Sequence, residues 1–369
     1  MTALAVMVAC AMQIYSTNSF SADITRNLPN AASYHNMPWK YIFLERDWFI
    51  GLSGKLLSYI STDLRFYTIV YMLIKVFLEL KCLKIIADNI SIPMEKVSIL
   101  VILTLLFTAT FFNINSLRFS IATSFFIWCM LEVLVNQKKY FIFISLLSPF
   151  VHYGFWILVP VIPLYFILKN RTKIVYVIFI LSLVYSTAGT SIVINDFVSD
   201  NMNENIAESV SGYASEFSLE GMAERYAEGA RLGNTNRAIH RGSVDVRNYG
   251  IMACVVILSL LHFKSKKENA RITETFNTLL ILYSCANIAN SNSQGQRFYL
   301  VCALIAVFCF AWLKYNRDEY AQEFYTKRQR LFETAYYLGT ISGLMGLYMA
   351  RYAYNWLGVM FGNYLFHLN

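Results

Sequence analysis

A chain of 369 residues in which 57% are hydrophobic and only 15% charged carries more apolar surface than a water-soluble domain of that size buries, so lipid must take the excess. A net charge of +8 would point to nucleic acid in a soluble protein, but most of these cations stand in short loops between apolar runs, where they report topology. The composition excludes a soluble nucleic-acid-binding domain and predicts an all-α polytopic membrane protein, because helices satisfy their own backbone polar groups in lipid.

The apolar runs are roughly 15–22 residues long, enough to cross a hydrocarbon core of about 30 Å. The first, 2–15, has no basic leader and no small-residue cleavage site before Ser16–Asp23, and is read as a retained span. A polar segment, 16–65, follows on the outer side. Its stripe of Trp48, Phe49, Leu52, Leu56, Leu57 and Ile60 predicts a helix lying in the interface. Spans at 66–87, 97–113 and 118–136 come next, and Lys75 within the first of these is expected to pair with Glu79 one turn on.

The run from Tyr140 to Leu168 is 29 residues long, too long for one comfortable crossing, and contains Pro149, Gly154, Pro160 and Pro163. Lys138 and Lys139 precede it, while Lys169, Arg171 and Lys173 follow, so both ends are expected on the cytoplasmic side. The run is therefore read as a hairpin of two short helices, 140–150 and 153–168, with His152 at its far turn. A span at 173–194 leads into a second long outer segment, 195–249.

In that segment Ile206, Val210, Tyr213 and Phe217, then Leu219, Met222 and Tyr226, recur at helical spacing on either side of Gly221. Gly233, Asn234, Thr235 and Asn236 read as a turn before the basic cluster of Arg237, His240 and Arg241. Spans at 249–263, 272–290, 297–314 and 333–353 complete about eleven, in one transmembrane domain over 1–369.

This topology sorts the cations by kind. Twelve of the seventeen inner ones are Lys, whereas eleven of the thirteen outer ones are Arg, and Lys75 alone is intramembrane. Arg presents a planar fork that grips phosphate or carboxylate bidentately and keeps its charge, so the outer face is suited to an anion. The seven cysteines (10, 82, 129, 254, 285, 302, 309) lie in or at the ends of apolar runs without paired spacing, so neither a disulfide framework nor a zinc site is expected. No P-loop, dinucleotide fingerprint, His-Glu-x-x-His or Gly-x-Ser-x-Gly occurs.

The candidate residues are ionisable groups at outer span ends, where water and lipid headgroups meet. Arg118 opens a span in Asn115-Ser116-Leu117-Arg118-Phe119-Ser120-Ile121-Ala122, His152 stands in Pro149-Phe150-Val151-His152-Tyr153-Gly154, and Arg297 opens another span in Gly295-Gln296-Arg297-Phe298-Tyr299. Their order, Arg-Phe-x-Ile-Ala, then Lys138-Lys139 and an apolar stretch ending in Phe-x-His, then Arg-Phe-Tyr, resembles the EpsG branch of Wzy-type bacterial polysaccharide polymerases. Glu45-Arg46-Asp47-Trp48-Phe49 with Leu56-Leu57-Ser58-Tyr59-Ile60 is similar to that family's acidic motif, without the usual Pro after the Glu.

The resemblance implies a glycosyltransferase of the bacterial inner membrane, N-terminus cytoplasmic, working on the periplasmic face without metal, nucleotide or other cofactor. Its partners would be an undecaprenyl-pyrophosphate-linked oligosaccharide, membrane lipid and a chain-length regulator protein, with no nucleic acid. Arg118 and Arg297 are expected to hold the pyrophosphate, His152 or else Glu45 to act as base, and Arg237, His240, Arg241 and Arg351 to make further sugar or phosphate contacts. O-antigen ligase and a flippase of lipid-linked sugars are the alternatives.

Each residue has a plainer role open to it. Arg118 and Arg297 would serve equally as interfacial anchors. His152 would equally satisfy carbonyls freed at the Pro149 break, and Glu45 would equally pair with Arg46 or Lys40 in a solvated loop.

Overall fold

The computed structural model describes residues 33–42, 48–62, 64–90, 93–96, 98, 99, 103, 117–187, 235–265, 269–290, 295–316 and 318–354. These are all-helical, with no strand among the described residues. The spans read at 2–15 and 97–113, most of the latter, and the amphipathic stretch 206–226 lie outside them.

The described α-helices are α1 (Trp39–Ile42), α2 (Trp48–Ser58), α3 (Leu64–Ala87), α4 (Leu117–Leu134), α5 (Phe141–Ile144), α6 (Ser148–Val151), α7 (Val161–Leu168), α8 (Thr172–Thr187), α9 (Thr235–Lys264), α10 (Ala270–Ala289), α11 (Gln296–Tyr315), α12 (Glu319–Lys327) and α13 (Gln329–Tyr354). Two of them contain stretches long and apolar enough to cross a membrane, Asp245–Lys264 and Arg297–Tyr315. Phe141–Val151, Tyr153–Leu168 and Thr172–Ser186 are shorter apolar helical stretches. Two compact units divide the described residues. The first runs up to Trp156 and includes Phe308–Asp318 and the stretch from Gly339; the second comprises Ile157–Val307 and Glu319–Leu338.

In the first unit α3 packs along α4, and α2 closes over them through a core of Ile42, Ile50, Tyr67, Tyr71, Leu78 and Ile121. The buried face of α2 is built of Ile50, Gly51, Gly54, Lys55 and Ser58, of which Gly51, Gly54 and Ser58 are small enough to let the helix approach closely. Of the stripe read in the sequence, Trp48, Leu52 and Leu56 are exposed, whereas Phe49 and Leu57 pack against the core. Lys55 is buried as a structural cation: Nζ donates to the His35 carbonyl at 2.6 Å and stands over the rings of Trp39 and Tyr59. Lys75 and Glu79 do pair within α3, and Ser124 Oγ of α4 donates to the same carboxylate at 3.5 Å.

After α4, Gln137 takes a left-handed backbone (φ 59°), and Glu132 ties the turn down. Its carboxylate accepts from Asn136 Nδ2 at 2.7 Å and pairs with Lys138 Nζ at 3.0 Å. That hydrogen bond, with the attraction of the same carboxylate, raises the Lys138 pKa above its ordinary value.

The stretch 140–168 breaks where the prolines and Gly154 predict. Pro149 sits in the first turn of α6, where a missing N–H costs nothing. The chain then leaves the helix at His152, whose backbone is extended (φ −147°, ψ 115°), before a 3₁₀ turn at Tyr153–Leu158 and α7.

In the second unit α10 is buried along almost its whole length and packs on α7, α8 and α9. Asn269 caps its start by accepting from the Arg271 and Ile272 N–H groups. Several polar groups that α10 carries inward are paired across helices, as lipid favours. Glu274 accepts from Tyr165, and Asn277 Nδ2 donates to the Lys169 carbonyl at 2.7 Å. On α8 the stripe Ile174, Val177, Leu181 and Val184 is exposed, a surface suited to acyl chains.

One boundary differs from the sequence reading. Residues 235–248, read as the end of a polar loop, are helical, because α9 runs unbroken from Thr235 through the apolar span. A helix already nucleated by its apolar half extends at little cost per residue, even where hydropathy falls.

Candidate functional site

Arg118 and Arg297 occupy equivalent local positions. Each is the second residue of a long apolar helix, α4 in the first unit and α11 in the second, and each is half-buried. A cation in a first turn opposes the helix dipole, and the N–H groups there lack intrahelical acceptors. An anion would be favoured by the guanidinium and by the helix end together.

In the first unit the His152 ring stands edge-on to Phe119, the residue after Arg118, with centroids 5.4 Å apart. Phe155 packs on the Phe119 ring at 5.5 Å. The extended backbone at His152 thus folds its side chain onto the start of α4. The Gly154 N–H donates to His152 Nδ1 at 3.1 Å, which leaves the proton of the neutral ring on Nε2. Nδ1 can act as a base only by giving up that bond, and Nε2 carries the ring's donor hydrogen.

In the second unit the start of α11 is fixed by backbone contact. A Cβ on Gly295 would stand 1.9 Å from the Ala289 carbonyl oxygen and 2.4 Å from the Asn290 Cα, so only glycine admits this approach just before Arg297. Beyond Arg297 the sequence reading missed a polar cluster. Tyr299 OH donates to Asn287 Oδ1 at 2.6 Å, Asn287 Nδ2 donates to Ser182 Oγ at 2.9 Å, and Asn290 Nδ2 donates to Ser186 Oγ at 3.3 Å. The Tyr299 ring packs against Tyr249 and Tyr283.

Beside them lies Arg247, only 2% exposed, with Nε donating to Asn248 Oδ1 at 3.0 Å and with Tyr283 and Asp245 within electrostatic reach. The Tyr283 hydroxyl is buried with no hydrogen-bond partner among the described residues. A buried guanidinium beside oriented amide and hydroxyl groups suits the oxygens of a sugar or phosphate. The signal was present in the sequence as Asn287, Asn290 and Tyr299 interrupting two apolar spans, and as an arginine two residues before Tyr249.

Glu45 lies outside the described residues. Arg237, His240 and Arg241 fall on the first turns of α9 and Arg351 on the last turn of α13, with side chains outside the described part. The six described cysteines are buried and unpaired.

In comparison with known families, the model described as the EpsG family matches residues 50–356, which include Arg118, His152, Arg247 and Arg297. No curated protein and no solved structure matches significantly.

Proposed function

The chain belongs to the EpsG family, and from that premise we propose that it is a polymerase joining undecaprenyl-pyrophosphate-linked oligosaccharide repeat units into O-antigen, capsule or exopolysaccharide. Membership makes it a membrane protein of polysaccharide biosynthesis. The reading adds about eleven spans, residence in the bacterial inner membrane with the N-terminus cytoplasmic, and an active periplasmic face. Within the family the observation that supports this reaction is the placement of Arg118 and Arg297 in the first turns of apolar helices, where the guanidinium and the helix-end N–H groups both favour an anion.

In the reaction an acceptor sugar hydroxyl attacks the anomeric carbon of the donor. The new glycosidic bond forms as the bond to pyrophosphate breaks, undecaprenyl pyrophosphate departs on the arginines, and the hydroxyl proton passes to a base. The glycosyl pyrophosphate supplies the energy, so this reading needs no nucleotide, metal or other cofactor. The base is His152 or else Glu45, and the Gly154 N–H engaged on His152 Nδ1 supports Glu45. Arg237, His240, Arg241 and Arg351 are further contacts for sugar or phosphate, and a chain-length regulator is a partner.

Deleting the gene and resolving surface polysaccharide on a gel tests this. A band carrying a single repeat unit with the ladder gone is the expected result. Loss of every repeat from the acceptor would instead indicate a ligase or a flippase, and an unchanged ladder would exclude all three.

Sidedness is tested separately. A cysteine at Asn236 should react with an impermeant thiol reagent in intact spheroplasts, and one at Ala270, which spares the Asn269 cap, should react only after lysis. The reverse pattern would move the active face to the cytoplasm.

A further inference from the structure

Away from the outer-face residues, the second unit holds a cavity of about 780 Å³ where the turn between α7 and α8 meets the end of α9 and the start of α10. It lies within the range of about 300–1,000 Å³ typical of small-molecule sites. Arg171 and Lys173 stand on its wall, both exposed, and no carboxylate pairs with either among the described residues. Among the described residues no acidic side chain lines it.

Its floor is a built network. His262, 6% exposed, meets Tyr320 OH at 2.8 Å through Nδ1 and Thr273 Oγ1 at 2.9 Å through Nε2, and Tyr320 OH meets Ser265 Oγ at 2.7 Å. When Tyr320 donates to Nδ1 and Nε2–H donates to Thr273, the Thr273 hydroxyl keeps its own hydrogen to offer into the cavity.

Below the cations the surface turns apolar. Ile174 and Phe263 line the cavity and are exposed, and each begins a row: Val177, Leu181 and Val184 on α8, Leu260 and Ile257 on α9. Tyr176 OH donates to Ser259 Oγ at 2.7 Å and closes the two helices together between these rows.

We propose that this cavity binds the phosphodiester headgroup of an anionic phospholipid, with its acyl chains lying along the exposed rows of α8 and α9. Cations above two apolar rows match an amphiphile, which a free phosphate does not use. Arg171 and Lys173, with no acidic side chain among the described lining residues, favour a net negative headgroup over a zwitterionic one, so the site discriminates by charge. The assignment is independent of the polymerase reading.

The test is native mass spectrometry of the full chain released from micelles holding equal amounts of phosphatidylglycerol and phosphatidylcholine. Two surface cations predict about a thirtyfold preference for phosphatidylglycerol in the bound population. In Arg171→Gln/Lys173→Gln, whose exposed side chains can change without disturbing the fold, the preference should fall to about twofold or less. An undiminished preference in the variant would overturn the site. So would inorganic phosphate displacing the bound phosphatidylglycerol from the wild-type chain at millimolar concentration, because the cavity would then be a free-anion site.

Discussion

Arg118→Lys or Arg297→Lys is expected to cut polymerisation by about a hundredfold or more, the usual scale for losing one oriented donor to a developing anion, with the chain still present in the membrane fraction. Lys retains the charge and can still snorkel to the interface, so an anchoring role survives the change. A bidentate grip does not, because an ammonium is a single point of charge on a flexible stem. Both arginines sit against the helix dipole, so Lys at these places keeps the local cost and loses the compensating geometry.

The readout is ladder intensity at matched protein level. Normal ladders from both variants would make these residues anchors and displace the site. In the same assay Glu45→Gln removes a proton acceptor at nearly constant shape. His152→Asn keeps an oxygen close to the place of Nδ1 for the Gly154 N–H but loses Nε2–H. A dead Asn variant with a normal Gln variant would return the base role to His152.

The parts of this molecule that local chemistry controls were legible in the sequence. Pro149 and Gly154 set the break at His152, and the spacing of Lys75 and Glu79 set their pairing. The shape of the second unit's cluster was not legible. Asn287 meets Ser182 across 105 residues of chain, and nothing in either neighbourhood names the other. Arg247 was counted as a loop cation because hydropathy falls there, yet helix and burial continue through it. Hydropathy reports the average environment of a window, whereas a single buried cation depends on which helices surround it.

Lys75 and Glu79 give the largest stability effect expected. Lys75 is 0% exposed and Glu79 4%, the two are paired along α3, and Ser124 of α4 also reaches the carboxylate. Removing one partner of such a pair typically costs about 3–5 kcal/mol, because the other is left charged in a low-dielectric interior or must change its protonation to remain there. Lys75→Met is therefore expected to destabilise the chain by that amount in reversible unfolding from mixed micelles. Lys75→Met/Glu79→Leu removes both charges at similar volume and should return to within about 1 kcal/mol of the wild type. A single variant as stable as the wild type would mean that the pair carries no net charge coupling. The double variant also separates structure from function, because the pair lies along a packed helix face and not at a helix start. If it folds and still makes a full ladder, Lys75 and Glu79 serve the α3–α4 interface alone; if it folds and makes none, the intramembrane pair takes part in the reaction and the outer-face site is incomplete without it.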